Sequence, residues 1–237
     1  MTSELVRAAP APALRDVIVR LTGHTDRTGA PVRSTELPVT FVPVVLDLGD
    51  GWWIGDGRRP DAAAERFGPF VAGLCDLPVA VGHDGSAHCV QLDLHPRAAR
   101  RLLKVPMREL ADRTVALDDV LGADGRELVE RLAGTRGWPA RFALVQRAVA
   151  RRLADAPPLR AEVGVAPKRF ARIARFERVV AMLAAEPATG LAAVAARCGY
   201  ADQAHMSREV AALGGTTPAA LRARAVNSVQ DPGREAA

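Results

Sequence analysis

The chain has 237 residues, 49% of them hydrophobic, which is enough for two cores of ordinary domain size and too little for a large multidomain enzyme. Lys and Arg number 32 against 27 Asp and Glu, and the net charge of +5 suits an anionic partner without requiring one. The three cysteines, Cys75, Cys89 and Cys198, are odd in number and far apart, which argues against a disulfide framework and against a paired-cysteine metal site.

The N-terminus lacks the basic-then-apolar plan of a signal peptide, and no apolar run has the length needed to cross a bilayer. We therefore expect a soluble, cytoplasmic protein with no membrane partner.

The first half of the chain is predicted to form strands. "HCVQLDLHP" alternates apolar and polar side chains, and "VTFVPVVLDLGDGWW" is a β-branched run that ends in a Gly-Asp-Gly turn. A small antiparallel sheet or barrel is the expected result.

Helices are predicted after Pro96. The segment "ARFALVQRAVARRLADA" carries Phe142, Val145, Val149 and Leu153 at spacings of three and four, which makes one apolar stripe. Two consecutive prolines in "DAPPL" cannot continue a helix, so the domain boundary is placed there.

A helix of about five turns is predicted to begin at Pro167 in "PKRFARIARFERVVAMLAAEP". Its other faces carry a series of cations that is nearly unopposed by acids. Either these cations form a solvated surface or they contact phosphate, and composition alone leaves both interpretations open. The cations are Lys168, Arg169, Arg172, Arg175 and Arg178.

Two short helices joined by a tight turn are predicted near the C-terminus, in "TGLAAVAARCGYADQAHMSREVAALGG". Thr189 is expected to cap the first helix and Asp202 the second, while Gly199 and Gly214-Gly215 end them. Such a tight connection is typical of a helix-turn-helix, whose second helix presents its N-terminal outward face to the major groove. An ordinary helical hairpin is the alternative.

The outward face of the second helix carries side chains suited to reading base edges. Gln and Arg make bidentate contacts to bases, Ser reaches a base or a phosphate, and Ala meets a thymine methyl group. These residues are Gln203, Ala204, Ser207 and Arg208. Thr217 and Pro218 are expected to start a final helix that braces the pair.

Residues Val163 to Arg224 closely resemble the C-terminal DNA-binding domain of AraC/XylS-type transcription regulators, through "GYADQAHMSR" and the "GTTP" ending. The resemblance implies double-stranded DNA as partner, base contacts at the four outward residues, and packing rather than DNA contact for His205. It also makes Lys168, Arg169 and Arg172 the candidates for phosphate contact.

The family's domain has two helix-turn-helix units bridged by a long helix, and the segment from Pro167 resembles that bridging helix. Only "LRAEVGVA" separates it from Pro158, so the first unit is apparently truncated. Either the helix predicted from Ala140 to Ala156 substitutes for part of that unit, or half of the DNA-reading surface is lost. We expect weak binding by a monomer and dependence on a homodimer. A modulator that dimerises with a related full-length regulator is an alternative function.

The region from "GPFVAGLCDLPVAVG" onward is similar to the sensory region of a group of AraC-type regulators. The resemblance implies a cupin-like barrel that binds a small-molecule effector or mediates self-association.

A metal-dependent cupin-type enzyme is a further alternative, because His83, His88, Cys89 and His95 lie close together in sequence. They contain no closely spaced ligand pair, and the sequence holds no nucleophile motif. We therefore predict no catalytic residues, no metal and no cofactor.

The predicted fold class is α+β, with a β-rich cupin-like module followed by helices and then an all-α helix-turn-helix domain. The predicted divisions are 1–154 for the sensory and dimerisation domain, 155–166 for the proline hinge with a remnant of the first unit, 167–225 for the DNA-binding domain, and 226–237 for a disordered tail.

Overall fold

The structure is a computed structural model that describes residues 2–59, 63–155 and 164–230. Within these ranges the chain forms two antiparallel sheets, then a group of helices packed on the larger sheet, then a second group of helices with its own core. This arrangement confirms the predicted α+β class and its order along the chain.

The strands are β1 (Thr2–Ala8), β2 (Ile18–Arg27), β3 (Val32–Glu36), β4 (Val42–Asp47), β5 (Trp52–Asp56), β6 (Glu65–Phe67), β7 (Phe70–Ala72), β8 (Val79–His83), β9 (Ser86–Leu94) and β10 (Thr114–Ala116). Six of them form the first sheet, in the order β1-β2-β9-β4-β7-β10, and four form the second, in the order β3-β8-β5-β6.

The first sheet is covered on both faces, and the alternation along β9 shows why. Cys89 packs with Ile54 of the second sheet, so one face of β9 lies between the sheets. Val90, Leu92 and Leu94 point the opposite way, into a larger core shared with the helices. A strand that is buried on both faces needs apolar residues at successive positions, and the β-branched run of β4 provides them.

The helices are α1 (Pro96–Leu103), α2 (Met107–Leu110), α3 (Leu117–Leu121), α4 (Ala123–Ala133), α5 (Trp138–Ala154), α6 (Pro167–Ala185), α7 (Leu191–Arg197), α8 (Gln203–Gly214) and α9 (Pro218–Gln230). The predicted stripe of α5 lies in the larger core, where Phe142, Val145 and Val149 are buried and Leu153 packs at the edge. No helix in the described ranges is long and apolar enough to cross a membrane.

The helices α6 to α9 surround a separate core that contains Phe176, Met206 and Leu221. This second core is not isolated from the β-rich region. Leu37, from the loop after β3, packs against it, and Phe170 at the start of α6 packs against the larger core. The β-rich region and the C-terminal helices therefore lie in direct contact.

One local prediction is corrected by the structure. Thr189 does not cap α7, because the N-cap residue is Gly190 and the Thr189 hydroxyl instead hydrogen-bonds Glu186. Helix α9 runs from Pro218 to Gln230, and the tail predicted for 226–237 stays a prediction.

The predicted hinge, 155–166, lies mostly outside the described residues. Helix α5 ends at Ala154 and α6 begins at Pro167, which agrees with where helices were predicted to stop and start. The division of the chain into domains stays a prediction.

Candidate nucleic-acid interface

The turn between α7 and α8 is built from backbone hydrogen bonds that its sequence favours. Gly199 has a φ of +81°, and its N–H donates to Ala196 O at 3.2 Å while Tyr200 N–H donates to Ala195 O at 3.0 Å. This is the Schellman arrangement, which ends a helix sharply and needs glycine at the left-handed position. Only five residues, Cys198 to Asp202, therefore separate the end of α7 from the start of α8.

Asp202 caps the N-terminus of α8. Its carboxylate accepts a hydrogen bond from the His205 backbone N–H at 2.6 Å, which satisfies one of the free donors in the first turn. Gly215, with a φ of +63°, ends the helix. Both ends of the predicted recognition helix are thus confirmed.

The inward face of α8 is fully buried. Met206, Val210 and Leu213 have no exposed surface and pack in the core formed with α6, α7 and α9. Because three buried side chains fix the rotation of the helix about its axis, the opposite face is fixed as well.

Ala204 and Arg208, two of the four residues predicted to contact bases, lie on that opposite face; Ser207 lies at its edge, and Gln203 is exposed at the N-terminal end of the helix, nearer the side of Val210. Gln203, Ala204 and Arg208 are exposed and Ser207 is partly exposed, all in the first two turns of α8. The structure therefore brings this predicted set together at the end of the helix that a helix-turn-helix inserts into the major groove.

His205 packs against the preceding turn. Its ring meets Tyr200 edge-on, with ring centroids 5.3 Å apart, and Tyr200 in turn lies under the Arg175 guanidinium at 5.4 Å. This contact agrees with a packing role for His205.

The three residues predicted to contact phosphate differ in their surroundings. Lys168 is exposed. Arg169 donates to Asp76 at 2.6 Å and also to Asp112, while Arg172 lies 3.1 Å from Asp76 and 3.3 Å from Glu209. The two arginines are therefore already paired with carboxylates, two of which belong to the β-rich region.

The pairing of Arg169 changes the acid–base behaviour of its partners. The guanidinium holds the pKa of Asp112 below its usual value, and the same hydrogen bonds raise the pKa of Arg169. Each charged partner thus favours the ionised form of the other, as in a charge-assisted hydrogen bond.

Sequence reasoning missed the acidic residues that organise this region. Glu209 of α8 receives both Arg172 and Arg175 of α6, with the Arg175 pair at 3.2 Å. Glu177 of α6 accepts from the Thr40 backbone N–H at 3.0 Å and from its hydroxyl at 2.5 Å. The apolar spacing of α6 gave no signal for these contacts, since the partners lie far away in sequence.

A third contact reaches α8 itself. The Arg58 guanidinium, in the loop after β5, donates to the Ala212 carbonyl at 2.8 Å. It binds the C-terminal half of α8, away from Gln203 and Arg208, so it leaves the predicted base-contacting face open.

The structure also bears on the apparently truncated first unit. The apolar stripe of α5 is buried against the first sheet, so α5 belongs to the larger core. The interval between Ala154 and Pro167 is about half as long as the α7–α8 unit, Leu191–Gly214. Both alternatives left open by the sequence stay predictions.

The β-rich region contains a buried polar cluster between the sheets. One carboxylate oxygen of Asp26 lies 3.2 Å from His83 Nε2, and the other has no hydrogen-bond partner among the residues that the structure describes. Trp52 lies edge-on to His83 and donates to Asp47 at 3.0 Å. Burial raises the pKa of Asp47, partly offset by that hydrogen bond.

The residues of the metal hypothesis do not converge. His83 pairs with Asp26, His88 lies between Thr25 and Arg141, and His95 is exposed at the start of α1. Cys89 is buried, and burial raises the pKa of its thiol to about 12. Within the described ranges, no group of three His, Cys, Asp or Glu side chains is placed to hold a metal ion. The enzyme hypothesis gains no support.

Comparison with known proteins identifies the C-terminal region. The model of a helix-turn-helix domain matches residues 148–224, which include α6 to the first turns of α9. A search of curated proteins found no significant match.

Three solved structures have a similar arrangement. ToxT from Vibrio cholerae is 8% identical with a TM-score of 0.40, covering 85% of this chain and 97% of that one. Fatty-acid-bound ToxT is 10% identical with a TM-score of 0.36, covering 85% and 94%. The AraC-like transcriptional activator CuxR is 11% identical with a TM-score of 0.31, covering 98% and 88%. Scores and identities this low carry no conclusion about function.

The matched model and the geometry of α7 and α8 together show that the C-terminal helices of this chain form a helix-turn-helix domain. For that region, the resemblance to AraC-type regulators drawn from the sequence is confirmed.

Proposed function

We propose that this protein is a sequence-specific transcription regulator that reads DNA through the N-terminal half of α8. The observation that carries the proposal is the exposed surface formed by Gln203, Ala204, Ser207 and Arg208 in the first two turns of a capped helix whose inward face is buried. Arg208 binds guanine bidentately, Gln203 binds adenine, and Ala204 and Ser207 make the neighbouring contacts.

Phosphate contacts position this helix. Lys168 is free to make one in the present arrangement, because it is exposed. Arg169 and Arg172 make theirs when the ion pairs with Asp76 and Asp112 open. The affinity for DNA then depends on how readily the ion pairs between α6 and the β-rich region open.

A single reading helix per chain supports the further proposal that the protein acts as a homodimer. One helix covers only a short segment of major groove, and dimers of helix-turn-helix proteins gain affinity by binding two half-sites about one helical turn apart. A small-molecule effector bound by the β-rich region would regulate this binding.

The test is selection of DNA ligands from a pool of random duplexes by the purified chain, followed by sequencing. We expect the wild-type chain to enrich a short motif and Arg208→Ala to lose enrichment at one position of it. Arg97→Ala, which removes an exposed arginine of α1, is the matched control and should enrich the same motif. Failure of the wild-type chain to enrich any motif would refute the proposal.

The burial of the α5 stripe supports one other candidate, a modulator that pairs with a related regulator having both units. This candidate predicts no enrichment by the chain alone and recovery of enrichment when such a regulator is added. Autonomous enrichment by the chain would exclude it.

A further inference from the structure

Glu209 lies on α8 directly after Arg208, and its carboxylate faces α6 rather than solvent. The side chain of Glu209 is 14% exposed. The Arg172 guanidinium of α6 lies 3.3 Å from one carboxylate oxygen. The Arg175 guanidinium, about one turn further along α6, lies 3.2 Å from the same oxygen and 3.3 Å from the other. Two cations on one face of α6 therefore hold a single carboxylate of α8.

The Arg175 guanidinium also covers the ring of Tyr200, at 5.4 Å from the ring centroid. Tyr200 is buried in the turn between α7 and α8, and it meets His205 of α8 edge-on, with ring centroids 5.3 Å apart. His205 stands four residues before Glu209, so the two lie on the same side of α8. The contacts thus form a closed ring, from Glu209 through Arg175 and Tyr200 back to α8.

The acid–base behaviour of Tyr200 agrees with this arrangement. Burial, and then the negative charge of Glu209, raise the pKa of the Tyr200 hydroxyl to about 12. The carboxylate therefore lies close enough to Tyr200 for its charge to act on the hydroxyl, although it is held by the arginines of α6.

These polar contacts restrain α8 in a way that its apolar side chains do not. Met206, Val210 and Leu213 decide which side of the helix is buried, but the hydrophobic effect has no preferred direction. Charge-assisted hydrogen bonds do have one, because they weaken as the distance and the angle depart from their best values. Contacts to Glu209 from two turns of α6 therefore add a directional restraint on α8.

We propose that Glu209 is a positioning residue for base recognition: it holds the first two turns of α8 at a fixed place on α6 and does not itself contact DNA. Arg208, the residue before it, needs hydrogen-bond distances to two atoms of one base, so a displacement of the helix weakens that contact. The inference rests on the proposed function, since it concerns how accurately α8 reads DNA.

The test measures the affinity of each variant for a selected duplex and for its scrambled counterpart, by fluorescence anisotropy at one salt concentration. Glu209→Gln keeps the shape of the side chain and removes its charge. Glu127→Gln is the matched control, because Glu127 lies 3.4 Å from Arg131 in an exposed pair of α4 and its loss changes the net charge equally. Arg175→Lys leaves the net charge unchanged and removes the planar fork that contacts both oxygens of Glu209.

We expect the ratio of the two affinities to fall about tenfold in Glu209→Gln and to stay unchanged in Glu127→Gln. The affinity of Glu209→Gln for the scrambled duplex should rise, because Arg172 and Arg175 are then free to contact phosphate. An unchanged ratio in Glu209→Gln, or an equal fall in Glu127→Gln, would overturn the positioning role. Circular dichroism checks that each variant is folded. If Glu209→Gln does not fold, Arg175→Lys decides in the same way, with the same fall expected.

A second measurement needs no DNA. Tyr200 is the only tyrosine of the chain, so carbon-13 labelling of tyrosine rings gives the NMR signals of one residue. Glu209→Gln should shift these signals and Glu127→Gln should not. Unchanged signals in Glu209→Gln would overturn the ring of contacts whether or not the chain reads DNA. A wild-type chain without any sequence preference refutes the proposed function, whereas a preference that Glu209→Gln fully retains refutes this inference alone.

Discussion

The guanidinium of Arg169 lies 2.6 Å from the carboxylate of Asp76, and this pair joins the first turn of α6 to the β-rich region. The same carboxylate lies 3.1 Å from Arg172, so one residue pairs with two of the three residues predicted to contact phosphate. The contact couples the availability of these arginines to the position of the β-rich region.

Removal of this carboxylate should strengthen DNA binding. Asp76→Ala frees Arg172 from one of its two acidic partners and Arg169 from one of its two, so we expect tighter, sequence-independent binding with a steeper dependence on salt. Each added phosphate contact increases the slope of log K against log[salt] by about 0.9. The measurement is fluorescence anisotropy with a scrambled duplex across a salt series.

The charge control for this variant is Asp118→Ala. Asp118 of α3 forms an exposed ion pair with Arg126 of α4, so its removal changes the net charge equally. If the two variants show the same slope, the effect is one of net charge and the coupling is wrong.

The cap of α8 should contribute measurably to stability. Asp202→Ala removes the acceptor for His205 N–H, and we expect a loss of about 1 kcal/mol in the free energy of unfolding. Asp202→Asn keeps an acceptor oxygen and should lose much less. Urea unfolding followed by circular dichroism gives both values, and equal losses for Ala and Asn would show that the hydrogen bond is not the cause.

The stability of the β-rich region should fall as pH decreases below about 6.5. Arg141 only donates, and its NH1 lies 2.6 Å from His88 Nε2, so that nitrogen accepts and Nδ1–H donates to the Thr25 hydroxyl at 2.8 Å. Burial, and then the Arg141 charge, lower the pKa of His88. The folded state therefore holds the neutral ring. This stability is fully present above the unfolded pKa of about 6.5 and is lost as pH falls toward the folded value.

The test compares urea unfolding at pH 7.5 and 5.5. His88→Gln does not titrate, so its free energy of unfolding should fall less between the two pH values than that of the wild type. His24, whose pKa is also lowered by burial, accounts for part of the change that remains. His95→Gln, at an exposed position, should behave like the wild type; a pH dependence of His88→Gln equal to that of the wild type would contradict the assignment.

Dimerisation should be visible in the spacing of DNA sites. With one reading helix per chain, a duplex with one half-site should bind weakly, and a duplex with two inverted half-sites about 10.5 base pairs apart should bind much more tightly. Moving the half-sites apart by about five base pairs places them on opposite sides of the duplex and should abolish the gain. Equal affinity for all three duplexes would show that the chain binds as a monomer.

Local structure around α8 was predictable because its signals are short-range. Asp202 lies three residues from the N–H that it caps, and Gly199 and Gly215 occupy the left-handed positions that end α7 and α8. Thr189 failed as a cap because a nearby carboxylate, Glu186, competes for its hydroxyl. The sequence pattern identifies Thr189 as a candidate N-cap, but it does not show that Glu186 competes for the Thr189 hydroxyl.

The contacts between the regions could not be read from the sequence. Asp76 and Arg169 are separated by 93 residues, and Thr40 and Glu177 by 137. Each acid is an ordinary surface residue by pattern, and the partners meet only in the folded chain, where Phe170 packs on the larger core and Leu37 on the core of the C-terminal helices.

The central claim is sequence-specific reading by α8, and the most direct measurement is anisotropy titration of the full chain with a selected duplex and its scrambled counterpart, from low to physiological salt. We predict that both affinities fall with salt while the preference for the selected duplex persists, and that Arg208→Ala loses about 1 to 3 kcal/mol of that preference. Equal affinity for the two duplexes at every salt concentration, or an unchanged preference in Arg208→Ala, would contradict this assignment of the reading face.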